Sequence, residues 1–151
     1  MARHRSAERA ASGRVTEFEA ECRRRGLALT IQRRAVYEEL AERKDHPTAD
    51  QVYDTLRARL PGLSRTTVYR VLDTLVEQGF ARRVQHAAGV ARFDPMTARH
   101  HHLVCDRCGK LLDLDDRAIP RIPLPDARGT GFRIDDYSIS FSGLCQSCRQ
   151  S

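Results

Sequence analysis

At 151 residues, 40% apolar and 30% charged, the chain can hold one ordinary domain or two small ones. No apolar run approaches the roughly 20 residues that cross a bilayer. The basic start MARHRSAERAASGR lacks the apolar stretch of a secretory signal, so a cytoplasmic protein with no membrane partner is expected. The formal net charge of +6 is unevenly placed: residues 1–94 carry 18 Lys and Arg against 13 Asp and Glu, residues 95–151 carry 8 against 7. That excess points to a polyanionic partner, most simply nucleic acid.

In chain order, residues 1–14 read as a flexible basic arm. Val15, Phe18 and Cys22 have helical spacing, and Gly26 closes a helix ending at Arg25. Cys22 reads as a small apolar residue on that helix. Thr30 opens a second helix through Leu40, with Ile31, Val36, Tyr37 and Leu40 apolar. After the break at Asp45-His46-Pro47, Thr48 and Gln51 form a capping-box pattern for a helix over Ala49–Leu60. Pro61-Gly62 turns the chain, and Ser64 caps Arg65–Gln78, which Gly79 stops. Val68, Val71, Leu72 and Leu75 form its buried stripe. Phe80–Phe93 alternates loosely around Ala88-Gly89, as a two-stranded ribbon does.

Helix, turn, helix and ribbon make a winged helix-turn-helix. Its second helix presents Arg65, Thr66, Thr67, Tyr69 and Arg70 at or near an N-terminal end that can enter the major groove, and Arg82, Arg83 and Arg92 of the wing can meet phosphates. Tyr69 and Arg70 are the leading candidates for DNA contact; Thr66 and Thr67 suit either phosphates or bases.

Two C-x2-C pairs, Cys105/Cys108 and Cys145/Cys148, are separated by 36 residues. Four thiolates fill a tetrahedral shell, so the pairs read as a structural zinc site. Asp94, His100, His101 and His102 lie just upstream and suggest a second, more exchangeable site. On a strand His100 and His102 face one way and His101 the other. Asp113 lies on the following strand, Lys110–Leu114, which can return beside the first.

The chain resembles the ferric uptake regulator (Fur) superfamily of bacterial metal-dependent repressors from about Thr16 to Cys148. The resemblance is carried by L-T-I-Q-R (29–33), H-P-T-A-D-Q-V-Y (46–53), S-R-T-T-V-Y-R-V-L (64–72), R-F-D (92–94), H-H-H-L-V-C-D-R-C-G-K (100–110) and G-L-C-Q-S-C (143–148). It implies an α+β fold: a winged-helix DNA-binding domain over 15–93, a hinge over 94–99, and a metal-binding α/β dimerisation domain over 100–151. It also implies a homodimer on a palindromic double-stranded operator.

By the same resemblance His46, Asp94, His100, His102 and Asp113 are the regulatory ligands. Three imidazoles and two carboxylates suit Fe(2+) or Mn(2+), and zinc, cobalt and nickel also fit. Aspartate at 94, with His46, looks like the peroxide-sensing PerR branch. There Fe(II) reacts with hydrogen peroxide to oxidise a liganding histidine, here His46 or His100, and the repressor leaves its operator; Mn(II) leaves it insensitive. The alternative within the family is an iron- or manganese-level repressor without redox sensing.

His101 is expected to face solvent or to support a ligand. A further family metal site is degraded, with Arg99, His101 and Tyr137 near its usual ligand positions. Three prolines in Ile119–Pro125, where the family builds a crossover helix, predict a shortened helix or a loop. An enzyme, either a metal hydrolase or a dithiol oxidoreductase, is the remote alternative. The chain has no H-E-x-x-H, nucleophile elbow or Gly-rich phosphate loop, and its cysteine pairs lack a thioredoxin-like βαβ setting.

Overall fold

The computed structural model describes the backbone of residues 2–84 and 89–150, with side chains from Ala11 onward. The chain divides into two compact units, Met1–Thr97 and Ala98–Ser151. Among the described residues no helix is long and apolar enough to cross a membrane.

The first unit holds helices α1 (Ala2–Arg24), α2 (Ile31–Glu42), α3 (Ala49–Leu56) and α4 (Arg65–Glu77), followed by strands β1 (Arg82–Val84) and β2 (Arg92–Asp94). α1 corrects the expectation of a loose arm over 1–14, since the helix is continuous from Ala2 and does not begin at Val15. Alanine and arginine dominate that stretch and are strong helix formers, while Gly13 alone costs about 1 kcal/mol. Gly26, at φ +66°, ends the helix, and the Leu27 amide reaches back to the Cys22 carbonyl at 2.9 Å.

Side-chain caps start the next three helices. Thr30 accepts from the Arg33 amide and Ser64 from the Thr67 amide, while Thr48 and Gln51 close a reciprocal capping box. α3 stops at Leu56, short of the expected Leu60, and passes into turns in which the Arg59 and Leu60 amides both bond the Leu56 carbonyl, at 3.0 and 2.9 Å. Thr48→Ala is expected to lower the stability of this unit by about 1 kcal/mol through the lost cap, measurable by urea unfolding followed at the helical circular dichroism band.

These helices close over one apolar core: Val15, Phe18, Cys22, Val36, Leu40, Val52, Leu56, Val68, Leu72, Leu75 and Phe93 are all buried. Phe18 stacks on Tyr37 with centroids 4.0 Å apart and meets Phe80 edge-on at 4.8 Å. One residue of the expected buried stripe differs, and one apolar residue of α2 lies outside the core. Val71 is only half-buried, and Ile31, at the first turn of α2, is 73% exposed. β1 and β2 pair antiparallel, with Arg82 opposite Asp94 and Val84 opposite Arg92. The turn expected at Ala88-Gly89 falls partly outside the described residues.

The second unit is a three-stranded sheet in the order β4-β3-β5, built from β3 (His100–Cys105), β4 (Leu111–Asp115) and β5 (Ser140–Gly143), and then a short α5 (Gln146–Arg149). β3 runs antiparallel to β4 and parallel to β5. A parallel pair needs a crossover, usually helical. Here a single 3-10 turn, Asp116–Ala118, is followed by irregular chain as far as Ile139. The prolines at 120, 123 and 125 account for the missing helix, since each removes an amide donor and clashes with the preceding turn.

Candidate metal centres and nucleic-acid interface

The cysteine centre forms where the two ends of the second unit meet. The turn between β3 and β4 carries Cys105 and Cys108, and the Gly109 amide (φ +71°) bonds the Cys105 carbonyl at 2.9 Å. The end of β5 and the start of α5 carry Cys145 and Cys148, and the Asp106 amide binds the Gly143 carbonyl at 2.8 Å to clamp the two turns together. All four Sγ atoms lie within 4.8 Å of one another.

Cys108 and Cys145 are 3.7 Å apart at sulfur. That is far beyond a disulfide and close to the edge, about 3.8 Å, of a tetrahedron with 2.3 Å metal–sulfur bonds. The Cys145 amide donates to Cys105 Sγ at 3.3 Å. Backbone amides of Cys145 and then Cys108 hold the Cys105 thiol down at about 6, while lost hydration and then the neighbouring sulfurs push Cys148 up to about 12. One ready thiolate beside a thiol that resists ionisation is the pattern of a site completed by a cation, which deprotonates all four.

The five other predicted ligands lie on both units. In the first, His46 follows α2 and Asp94 ends β2, with His46 Nε2 3.5 Å from Asp94 Oδ2 and both side chains buried. Asp94 Oδ1 accepts the Met96 amide at 2.7 Å, which fixes the carboxylate plane and turns Oδ2 toward the imidazole.

In the second unit His102 sits directly opposite Asp113 across the β3–β4 ladder. The His100 Nδ1 proton is donated to the Ala98 carbonyl at 2.9 Å, which leaves Nε2 as the ligand atom. His100 Nε2 and His102 Nε2 are 3.1 Å apart, with Asp113 Oδ1 3.6 and 3.9 Å from them. Two imidazole nitrogens bound side by side about 2.1 Å from one ion would be separated by about 3 Å. These residues therefore fit a metal within each half.

His101 corrects the solvent-facing half of its expectation. It is fully buried and does not face solvent. Its Nδ1 accepts the Ile139 amide at 3.2 Å, so its Nε2 proton goes to Asp116 Oδ1 at 3.0 Å. Tyr137 stacks on the ring at 5.8 Å, and Arg99 lies 4.9 Å over the same tyrosine while pairing with Asp136 at 3.0 Å. Stacking and hydrogen bonds thus link Arg99, His101 and Tyr137, and they pin the irregular crossover to β3.

On α4, Thr66, Tyr69 and Arg70 are exposed and Thr67 is half-buried, its hydroxyl 2.9 Å from Ser64 Oγ in the cap. Arg65 is engaged within the protein. It pairs with Asp50, lies 3.7 Å from Asp54, and stacks 4.6 Å over Tyr53, all on α3. Among the wing arginines, Arg83 pairs with Asp73 at 2.5 Å. Arg92 departs from the phosphate-contact expectation, because its guanidinium donates to the carbonyls of Asp45 and His46. Arg92 and Asp94 are two apart on a strand, hence on one face, and that spacing is the sequence signal for the arrangement.

A helix-turn-helix with a two-stranded ribbon, joined to a small sheet around four clustered thiols, defines a metal-associated winged-helix protein. Residues 24–142 match the Ferric uptake regulator family, and the chain belongs to that family of metal-responsive transcriptional regulators. It is 33% identical over 123 residues to the peroxide operon regulator of Bacillus subtilis (strain 168), covering 82% of this chain and 85% of that one. The ferric uptake regulator of Helicobacter pylori superposes with a TM-score of 0.69 at 17% identity, over 93% of this chain and 95% of its own, a likeness of fold. A zinc uptake regulator solved with zinc and DNA gives 0.68 at 25% identity, over 93% of this chain and 96% of its own.

Proposed function

We propose that the protein is a homodimeric, cytoplasmic transcriptional repressor that holds its operator when a divalent metal joins His46 and Asp94 to His100, His102 and Asp113, and that peroxide lifts repression. The observation that carries this reading is the pair of half-sites, built from nitrogen and oxygen donors alone, in which His46, Asp94, His100 and His102 are buried and Asp113 reaches the surface. Such a donor set suits Fe(II) or Mn(II). Aspartate at 94 and the likeness to a peroxide operon regulator favour the redox branch.

In this reading ligation by both units favours one arrangement of the two DNA-binding units in the dimer, to the extent that metal prefers that arrangement. Exposed Thr66, Tyr69 and Arg70 on α4 meet the operator. The four-cysteine centre holds zinc permanently, and in the cytoplasm its thiols stay reduced. Dimer formation draws support from an apolar row across the second unit's sheet: Leu112, Leu103 and Phe141 are in register on adjacent strands and 45%, 39% and 44% exposed.

Ferrous iron, when bound, supplies the one-electron chemistry that cleaves peroxide. His46 or His100 is the ring that takes up oxygen and loses its ligand character. The test is peptide mass spectrometry after Fe(II) loading and dilute peroxide, with a Mn(II) control and operator release followed in parallel. One added oxygen on the His46 or His100 peptide, with iron only and together with DNA release, is the expected result. Unmodified histidines with DNA still bound would leave a repressor that reports metal level alone.

A further inference from the structure

We infer that Arg92 is the positioning residue of the His46 half-site: its guanidinium holds the backbone of the 45–47 loop in the conformation that aims the imidazole at Asp94. This rests on the reading of His46 as a metal ligand.

His46 has φ +51°, the one non-glycine residue with positive φ among those described. It also precedes Pro47, and the residue before proline is driven toward extended conformations. The conformation is therefore disfavoured twice over and needs outside support. Residues 92 and 93 supply it. Arg92 Nη1 donates to the Asp45 carbonyl at 3.2 Å and the His46 carbonyl at 2.9 Å, and the Phe93 amide donates to the Pro47 carbonyl at 3.0 Å. Three consecutive carbonyls thus turn toward one strand, and a bridge between Thr48 and Arg92 extends the pairing.

From the other side Arg43 grips the Asp45 carboxylate at 2.8 and 2.5 Å. The same strand, β2, carries Asp94 two residues on. One short segment, 92–94, therefore supplies a ligand and fixes its partner ligand. Because β2 is also the returning strand of the ribbon, hydrogen bonds tie the loop to the ribbon. A planar guanidinium can hold two carbonyls at once in a fixed fork, whereas an ammonium is a flexible point donor.

The test is Mn(II) titration, followed by electron paramagnetic resonance, of the zinc-loaded full-length protein and four variants: Arg92→Ala, Arg92→Lys, Arg59→Ala and His46→Ala. Loss of support behind a ligand typically weakens metal binding by about 10- to 100-fold, which is the expectation for Arg92→Ala. Arg92→Lys should recover part of that loss, and Arg59→Ala, which removes an equal charge from an exposed turn of the same unit, should bind as wild type. Hydrogen exchange of the metal-free protein gives a second readout, with the Phe93 amide losing protection in Arg92→Ala. Unchanged Mn(II) affinity in both Arg92 variants, with His46→Ala weakened, would overturn the inference alone. Unchanged affinity in His46→Ala would instead remove the ligand reading beneath it.

Discussion

Cys105→Ser is expected to bring zinc content from about one per chain to near zero and to unfold Ala98–Ser151 while the N-terminal helices persist. The second unit has little else to hold it. Among its described residues the buried ones are His100, His101, His102, Cys105 and Leu111, of which Leu111 is the only aliphatic. A unit of this size with so small an apolar interior needs a staple. In small zinc modules the metal contributes about 10–16 kcal/mol of apparent binding energy that is also folding energy.

The pH dependence follows from the thiols. Cys105, held at about 6, is mostly thiolate at neutral pH, whereas Cys148, at about 12, must give up a proton to bind. Zinc affinity therefore rises with pH, and falls steeply once Cys105 also reprotonates as pH drops through about 6. Metal analysis, proton release on zinc addition, and proteolysis near Thr97 would check this. A serine variant that kept its zinc, or lost it without exposing residues 98–150, would count against a structural role.

His102→Ala should do the reverse, leaving zinc in place and abolishing the regulatory response. Mn(II) affinity is expected to fall on the order of 100-fold or more, since a ligand matters at least as much as the groups supporting it. Operator affinity in the presence of Mn(II) should then match the metal-free protein. Couplings of this kind are typically worth about 5- to 150-fold. Equilibrium titration of Mn(II), then of operator DNA at fixed salt, measures both. Should zinc leave along with manganese, His102 would be a sheet residue and not a regulatory ligand.

Local chemistry explains which features were legible in the sequence. Thr30, Thr48 with Gln51, and Ser64 start helices through contacts three residues away, and a linear reading sees those contacts. The alternation of His100 and His102 against His101 follows from strand geometry alone. The burial of His101 is not legible, because the groups around it come from residues 116, 137 and 139, beyond a segment with no periodicity. Arg92 is expected to point outward on charge and position, whereas the carbonyls it binds, at 45 and 46, are distant in sequence, as is Asp50, the ion-pair partner of the exposed Arg65. The stretch 1–14 differs for the opposite reason: its basic charge reads as an arm, although its alanines and arginines have high helical propensity.

The irregular crossover between β4 and β5 has a consequence for the order of assembly. β3 and β4 meet across a turn of a few residues and can form early, but β5 pairs with β3 only after a long, structureless loop has closed. Non-local pairing of this kind is slow, because its entropy is lost before any contact repays it. The first unit, by contrast, is finished by residue 97. During synthesis the N-terminal helices would therefore be folded while Cys145 and Cys148 have yet to leave the ribosome. The newborn chain would pass through an interval in which a basic winged-helix unit exists without its sheet, its zinc or its twin.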